Sequence, residues 1–440
     1  MNNSIKEAKR TLINNRRLNY TLPTNTKLYP AQWNWDSAFI ALGYSNFNLD
    51  YSFKELETLI SGQWDDGMIP HILFHIKDLN YTPNYKAWNC GKKVSSSGIT
   101  QPPILASILR IIIERQKFSK KEIKKYQPLI LKIKKCLEWF IRYRDPKRTG
   151  LISILHPWES GYDNSPLWDK PMSKIKTELN LKYKRKDNKI VNQSQRPLKI
   201  DYDRYVTIKN HLKEMNYDPK KLYFKSKFNV VDVGFNSLFL KALKDVDFLL
   251  RCIDKRNSFI KKYILLNESK LIKLFDSKKM TFKNKDIRNN SLVAIPSITN
   301  FFMLFADLNN NLINRNLIKS LKIYYKKSEK KLKLFLFFSK NKFSEKAKSD
   351  FIKNNYANFK LENTVYLINE NGGFLKMSKA IKYCINFIEM NFILKFFIKI
   401  TPAFILDIIY RLIARCRYVM FGKKSICSFP DGLHTKQILK

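Results

Sequence analysis

All seven tryptophans of the 440-residue chain lie between Trp33 and Trp168. Most of them stand in short loops next to an aspartate, a glutamate or a glycine rather than inside helical stripes. An indole ring carries a large apolar surface that must be covered. Loops that carry several of them must therefore fold inward, against a core or around a pocket. The remainder of the chain has no tryptophan, so two differently built segments share one chain.

Between these loops the first segment reads as helix after helix. Asp50 is a candidate N-cap for a helix through Phe53, Leu56 and Ile60. Pro102 and Pro103 open a second helix, with Leu105, Ile108, Leu109 and Ile112 on one face. A third follows Pro128 and carries Ile133, Cys136, Leu137, Phe140 and Ile141. A fourth shows Phe235, Leu238, Phe239, Ala242, Leu243 and Val246. This pattern predicts a mostly α fold, a toroid or bundle of helices. Residues 165–230 are lysine-rich and irregular, an excursion beside a site or a solvated loop. Residues 253–330 show a weak helical signal near Ile298 to Leu308. From about residue 331 the texture changes. Leu332 to Phe338 and Thr364 to Ile368 read as strands, Asn371-Gly372-Gly373 as a turn, and helical patterns run from Ser378 to about Met420. The expected organisation is thus residues 1–318, a junction at 319–330, and residues 331–440.

Composition narrows the classes. A 44% hydrophobic and 14% aromatic chain is not a disordered one. No stretch of about 20 residues is both uncharged and apolar, so no transmembrane segment is expected. Asn289 to Ala306 and Cys384 to Phe421 come nearest and read as buried or amphipathic helices. Charged residues with no apolar run behind them argue against a signal peptide. The six cysteines, at 90, 136, 252, 384, 416 and 427, form no Cys-x-x-Cys pair and no zinc spacing with a histidine. They read as reduced thiols of a cytoplasmic protein, with no metal or other cofactor expected. The net charge of +45 is spread along the chain, and predicts salt-sensitive, nonspecific adhesion to polyanions rather than a specific nucleic-acid site.

Four loops carry the chemistry. They are Gln32-Trp33-Asn34-Trp35-Asp36-Ser37, Gly62-Gln63-Trp64-Asp65-Asp66-Gly67-Met68-Ile69-Pro70-His71, Ser97-Gly98-Ile99-Thr100-Gln101-Pro102-Pro103 and His156-Pro157-Trp158-Glu159-Ser160-Gly161-Tyr162-Asp163-Asn164-Ser165-Pro166. Sugar C–H faces stack on flat rings, and sugar hydroxyls need carboxylates and amides. Glycines beside them let the backbone approach a ligand. A carboxyl among indoles is desolvated, which raises its pKa as a general acid requires. Singly, each motif has a structural reading as well: Trp33 and Trp35 as core anchors, Asp36 or Asp163 as helix caps, Gln101 as a loop hydrogen-bonder, His71 as a satisfied structural histidine.

In this order and spacing, the four motifs resemble the catalytic domain of glycoside hydrolase family 63, in its mannosylglycerate and glucosylglycerate hydrolase branch. Asp145-Pro146-Lys147-Arg148-Thr149-Gly150-Leu151, Arg196-Pro197, Asp201-Tyr202-Asp203-Arg204-Tyr205 and Val231-Asp232-Val233-Gly234-Phe235-Asn236 extend the likeness, which is strong over residues 25–240 and fades toward 318. The resemblance implies an (α/α)6 barrel, here partial, and inverting hydrolysis of an α-glycosidic bond in a small-molecule glycoside. It implies Asp163 as the general acid. It also implies that Trp33, Trp35, Asp36, Gln63, Gln101, Trp158 and Glu159 hold substrate. Inversion needs a second carboxylate as base. In the family this is a glutamate after a Tyr-Trp-Arg-Gly-Pro-like motif, which has no counterpart in a chain without tryptophan beyond residue 168. A sugar-binding protein without turnover is therefore the alternative.

The stretch 331–440 is similar to the C-terminal part of the DCC-family thiol-disulfide oxidoreductases, which implies a small α/β, thioredoxin-like fragment. Its landmarks are Thr364-Val365-Tyr366-Leu367-Ile368, Ile400-Thr401-Pro402, Ala414-Arg415-Cys416-Arg417-Tyr418 and Cys427-Ser428-Phe429-Pro430. The Cys-x-x-Cys that would supply an attacking and a resolving thiol is missing. Cys416 and Cys427 accordingly read as structural. Joined in this way, the two partial families read as a fusion.

Overall fold

A computed structural model describes residues 2–24, 28–79, 81–185, 187, 196–295 and 297–332, the strand segments 335–338, 365–368 and 374–376, and residues 382, 401–402 and 406–407. The chain divides into two compact units, Met1–Ile318 and Lys319–Lys440.

The first unit is built around the helix Val233–Cys252, which packs against helices Leu105–Arg115, Gln127–Tyr143 and Ser258–Ile272. The expected stripe is its buried face: Phe235, Phe239, Ala242, Leu243 and Val246 are fully enclosed, and Leu238 nearly so. Asn236, Ser237 and Asp245 are buried on the same helix, so it is covered nearly all round and serves as the core's axis. Asp232 caps it, accepting from the Phe235 amide at 2.7 Å.

A second layer places the site. Helices Asn34–Tyr44 and Leu49–Ser61 pack against each other, and the first also packs on Leu105–Arg115. The N-cap of Leu49–Ser61 is Asn48, whose side chain accepts from the Tyr51 amide, and Asp50 sits in the first turn. The cap expected at Asp50 therefore lies two residues earlier, and Asp50 faces the positive end of the helix dipole instead.

Residues 253–330 are more ordered than their lysine-rich texture suggests. Asn257 caps the helix Ser258–Ile272, which buries Ile260, Tyr263, Asn267 and Leu271. The stretch from Asn289 to Ala306 is not one helix: it holds the strand Ser291–Val293, a 3-10 turn Ile298–Phe301 and the short helix Phe302–Phe305. Strand Ser291–Val293 pairs antiparallel with Asn284–Asp286, which pairs in turn with Val230–Val231. Strands this short show no usable alternation in sequence. A small second core gathers Val233, Leu240, Leu271, Phe282, Met303, Ala306, Ile313 and Leu317.

In the second unit, strands Phe335–Phe338, Val365–Ile368 and Phe374–Lys376 form an antiparallel sheet with Val365–Ile368 in the middle. The first two occupy the stretches expected to be strands. The expected turn at 371–373, the helical run from Ser378, and Cys384, Cys416 and Cys427 lie outside the described residues. Among the described residues no helix is long and apolar enough to cross a membrane.

Candidate active site

The four motif loops meet and are tied together by hydrogen bonds. Gln32–Trp33 pairs antiparallel with Ile72–Leu73, Trp33 opposite Ile72. The Asn34 amide donates to the His71 carbonyl at 3.0 Å, and its side chain donates to Ile69. The His71 amide donates to Ile99 at 2.7 Å. The Trp35 amide donates to Oε1 of Gln101 at 3.1 Å. Glu159 joins the third loop to the fourth, accepting from the amides of Thr100 and Leu155.

The loops enclose a cavity of about 270 Å³. Trp33, Trp35, Asp36, Gln101, Trp158 and Asp163 all line it. The structure thus brings together six of the eight residues singled out from sequence. Trp33 meets Tyr29 and Tyr81 edge-on, with ring centroids 5.1 and 5.6 Å apart. Trp158 packs on His156 at 4.4 Å and near Tyr205. Gly161 lies directly under the Trp35 indole, where an added Cβ would come within 2.4 Å of the ring, and its φ of +78° favours glycine as well. The Asp163 carbonyl accepts from the Tyr205 hydroxyl at 2.7 Å, anchoring its backbone to the helix Lys199–Glu214.

Burial raises the Asp36 carboxyl to about 6, opposed by a backbone hydrogen bond. His71 also lines the cavity; burial and its neighbour His156 lower its pKa to about 3, so the ring is neutral. Its Nδ1 is buried without a hydrogen-bond partner among the described residues. The expectation of a satisfied structural histidine is corrected accordingly.

Two residues expected at the substrate lie elsewhere. Gln63 turns its amide to the carbonyls of Gly67 and Lys132, both at 2.8 Å, closing the turn after Leu49–Ser61. Glu159 is fully buried in a two-bond pair with Arg144, at 2.6 and 3.0 Å. Their positions inside the motifs come from holding the loops together. Sequence reasoning missed the aromatic wall of Tyr29, Tyr81 and Trp88, which lies outside the four motifs. The lysine-rich excursion also reaches the cavity, contributing Asp187, Arg196, Pro197 and Tyr202. Asp187 accepts from Arg196 at 2.7 Å and from Arg185 at 2.6 Å. Burial works against both ionic forms, but the partners outweigh it: the two guanidiniums lower the Asp187 pKa, and Asp187 with Tyr29 raises that of Arg196. Among the described residues lining the cavity, Arg196 is the one Lys or Arg. No cluster of His, Cys, Asp and Glu suited to a metal occurs among the described residues.

An aromatic-walled cavity with carboxyls and a guanidinium, set on a helical scaffold, defines a glycoside hydrolase domain. Residues 29–323 match the family described as mannosylglycerate hydrolase MGH1-like glycoside hydrolase domain, and the chain belongs to that family. It is 38% identical over 303 residues to a mannosylglycerate hydrolase of Thermus thermophilus, a match covering 68% of this chain and 73% of that one. It is 35% identical over 228 residues to a glucosylglycerate hydrolase of Mycolicibacterium hassiacum, covering 49% and 51%. A crystal structure of the GH63 mannosylglycerate hydrolase from Thermus thermophilus in complex with Tris and D-glycerate superposes with a TM-score of 0.68 at 37% identity, covering 72% of this chain and 75% of the other. These likenesses concern the first unit, and the thiol-disulfide oxidoreductase likeness of residues 331–440 falls largely outside the described residues.

Proposed function

We propose that the cavity binds an α-glycoside of glycerate, a glucosyl- or mannosylglycerate, and that Asp163 is the general acid of its inverting hydrolysis. The observation that carries this reading is the meeting of Asp163 with Trp33, Trp35, Asp36 and Gln101 around one cavity. The indoles offer faces for the sugar ring, and the Asp36 carboxyl and Gln101 amide suit its hydroxyls. Arg196 supplies a guanidinium for the glycerate carboxylate. Asp163 donates its proton to the bridging oxygen as the C–O bond breaks, and water attacks the anomeric carbon from the opposite face. Asp187, held by two guanidiniums, is a poor proton acceptor, and no described side chain is assigned as the base. Turnover is therefore expected to be slow, about 10²–10⁴-fold below a site with a working base.

The test is a tryptophan-fluorescence titration with each glycosylglycerate, paired with detection of free sugar and its anomeric form. Saturable quenching is expected, with slow release of the β-anomer that Asp163→Asn abolishes while binding persists. Release that survives Asp163→Asn would remove the acid assignment. Saturable binding with no sugar released identifies a binding protein without turnover. No quenching by either compound would sink the whole reading.

A further inference from the structure

The residues that build the Trp33–Asp36 wall are held by a side chain outside the cavity. Glu55, on the helix Leu49–Ser61, is fully buried. Its Oε1 accepts from the Ser37 hydroxyl at 2.6 Å and from the Gln32 side-chain amide at 2.9 Å. The Gln32 amide also donates to the Glu55 carbonyl at 3.2 Å. Gln32 and Ser37 are themselves fully buried, and they are the residues immediately before and after Trp33-Asn34-Trp35-Asp36. One carboxyl oxygen therefore grips both ends of the four-residue segment that supplies three lining residues of the cavity. His75 extends the grip, its Nε2 lying 2.8 Å from Gln32 Oε1.

A buried carboxyl is costly, and one needed only for packing would be replaced by leucine at no loss. Its hydrogen bonds instead run across to a neighbouring strand and helix start. The segment turns there from the strand Gln32–Trp33 into the helix Asn34–Tyr44. The backbone passes from strand to helix between Trp33 and Asn34, so the two indoles stand on differently built backbone. Such a corner needs fixing at both ends if Trp33, Trp35 and Asp36 are to hold their places without ligand.

We infer that Glu55 is the positioning residue of this sugar-binding wall, setting Trp33, Trp35 and Asp36 through Gln32 and Ser37 without touching substrate. The inference rests on the glycoside reading for its ligand, while the clamp itself can be read without one.

Hydrogen exchange of the unliganded protein gives that reading. In Glu55→Ala the amides of residues 33–37 should exchange at least about tenfold faster, as loss of a buried hydrogen bond to a carboxylate implies. Those of the helix Gln127–Tyr143 should be unchanged. Glu55→Gln keeps an acceptor oxygen and should restore most of the protection. Ser37→Ala should give a smaller increase confined to the same residues, and it decides the matter if Glu55→Ala does not fold. Unchanged exchange at 33–37 in the folded variants overturns the inference. The glycosylglycerate titration then follows, with affinity expected to fall about tenfold in Glu55→Ala and to recover in Glu55→Gln. Freed amides with unaltered affinity also overturn it. A parent protein that binds neither glycoside strikes the proposed function instead, and the exchange result alone then decides the clamp.

Discussion

Two buried carboxyls and two buried histidines oppose each other in the pH dependence of stability. Burial raises Glu55 from 4.5 to about 7 and Asp36 from 3.8 to about 6, each against opposing hydrogen bonds. A carboxyl with a raised folded-state pKa binds its proton more tightly in the folded chain. Its contribution is fully present below its ordinary pKa and is lost as pH rises through the folded value. The carboxyls lowered by partners, such as Asp187 and Asp203, act below about pH 4, but His71 and His156, lowered by burial to about 3, make stability rise as pH climbs to about 6.5. The share of each carboxyl is therefore a difference: between about pH 4.5 and 7 the parent's stability in urea should fall relative to Asp36→Asn and to Glu55→Gln, by on the order of 3 kcal/mol for each group. Equal slopes of stability against pH in parent and variants would refute the assignment. Arg144 and Glu159 behave differently, because both are enclosed and each is the other's partner. Glu159→Ala leaves a buried guanidinium uncompensated and should cost about 3–5 kcal/mol. Folded Glu159→Ala protein should also bind glycoside more weakly, because the Thr100 and Leu155 amides it holds lie beside Gln101 and at the start of the fourth loop; unaltered affinity at full folding would show that the loops keep their places without it.

The start of the helix Val233–Cys252 is where structure and site are coupled. Asp232 accepts from the Phe235 amide, from Asn284 at 2.7 Å and from the Tyr162 hydroxyl. Tyr162 immediately precedes Asp163. Asp232→Ala removes a cap worth about 1 kcal/mol and strands two buried donors at about 1–3 kcal/mol each, so a loss of about 3–7 kcal/mol is expected in chemical denaturation. A loss below about 1 kcal/mol would show that water replaces the carboxylate. This helix was legible in sequence because its apolar stripe is unbroken, and so were Leu105–Arg115 and Gln127–Tyr143. Ser258–Ile272 was not: its buried face includes Tyr263 and Asn267, and lysines surround it. The site divides on similar lines. Loops that place indoles beside carboxyls announced the cavity because together they point to a pocket, although each alone could be a core anchor or a cap. They did not reveal which polar residues face inward, since Glu159 and Gln63 are as much part of the motifs as Asp163. Asp187 and Arg196 come from irregular, lysine-rich sequence with no periodicity. Tyr29 and Tyr81 are isolated rings whose partner, Trp33, is distant in sequence or separated by a turn.

At the scale of the whole molecule the charge of +45 must be reconciled with a cavity that has a single guanidinium among its described lining residues. Most of the lysines of the first unit are exposed or half-exposed, and many of its ion pairs are surface pairs of little individual worth. Such a surface attracts polyanions by releasing their counterions, whatever their sequence. Two duplexes of unrelated sequence should therefore bind with equal affinity. That affinity should fall by about 10³-fold or more between about 50 and 200 mM salt if six or more phosphates are neutralised. The proposed glycoside site would draw its specificity from ring faces, carboxyls and Arg196, which the surface lysines do not supply. Saturating duplex at low salt should then leave glycosylglycerate affinity within about twofold of its value in duplex-free buffer, as expected for sites with no shared partners. Competitive displacement of the glycoside by duplex would instead place the polyanion in the cavity itself. A sequence preference that survives about 200 mM salt would reveal a selected nucleic-acid surface where the spread of lysines predicts none.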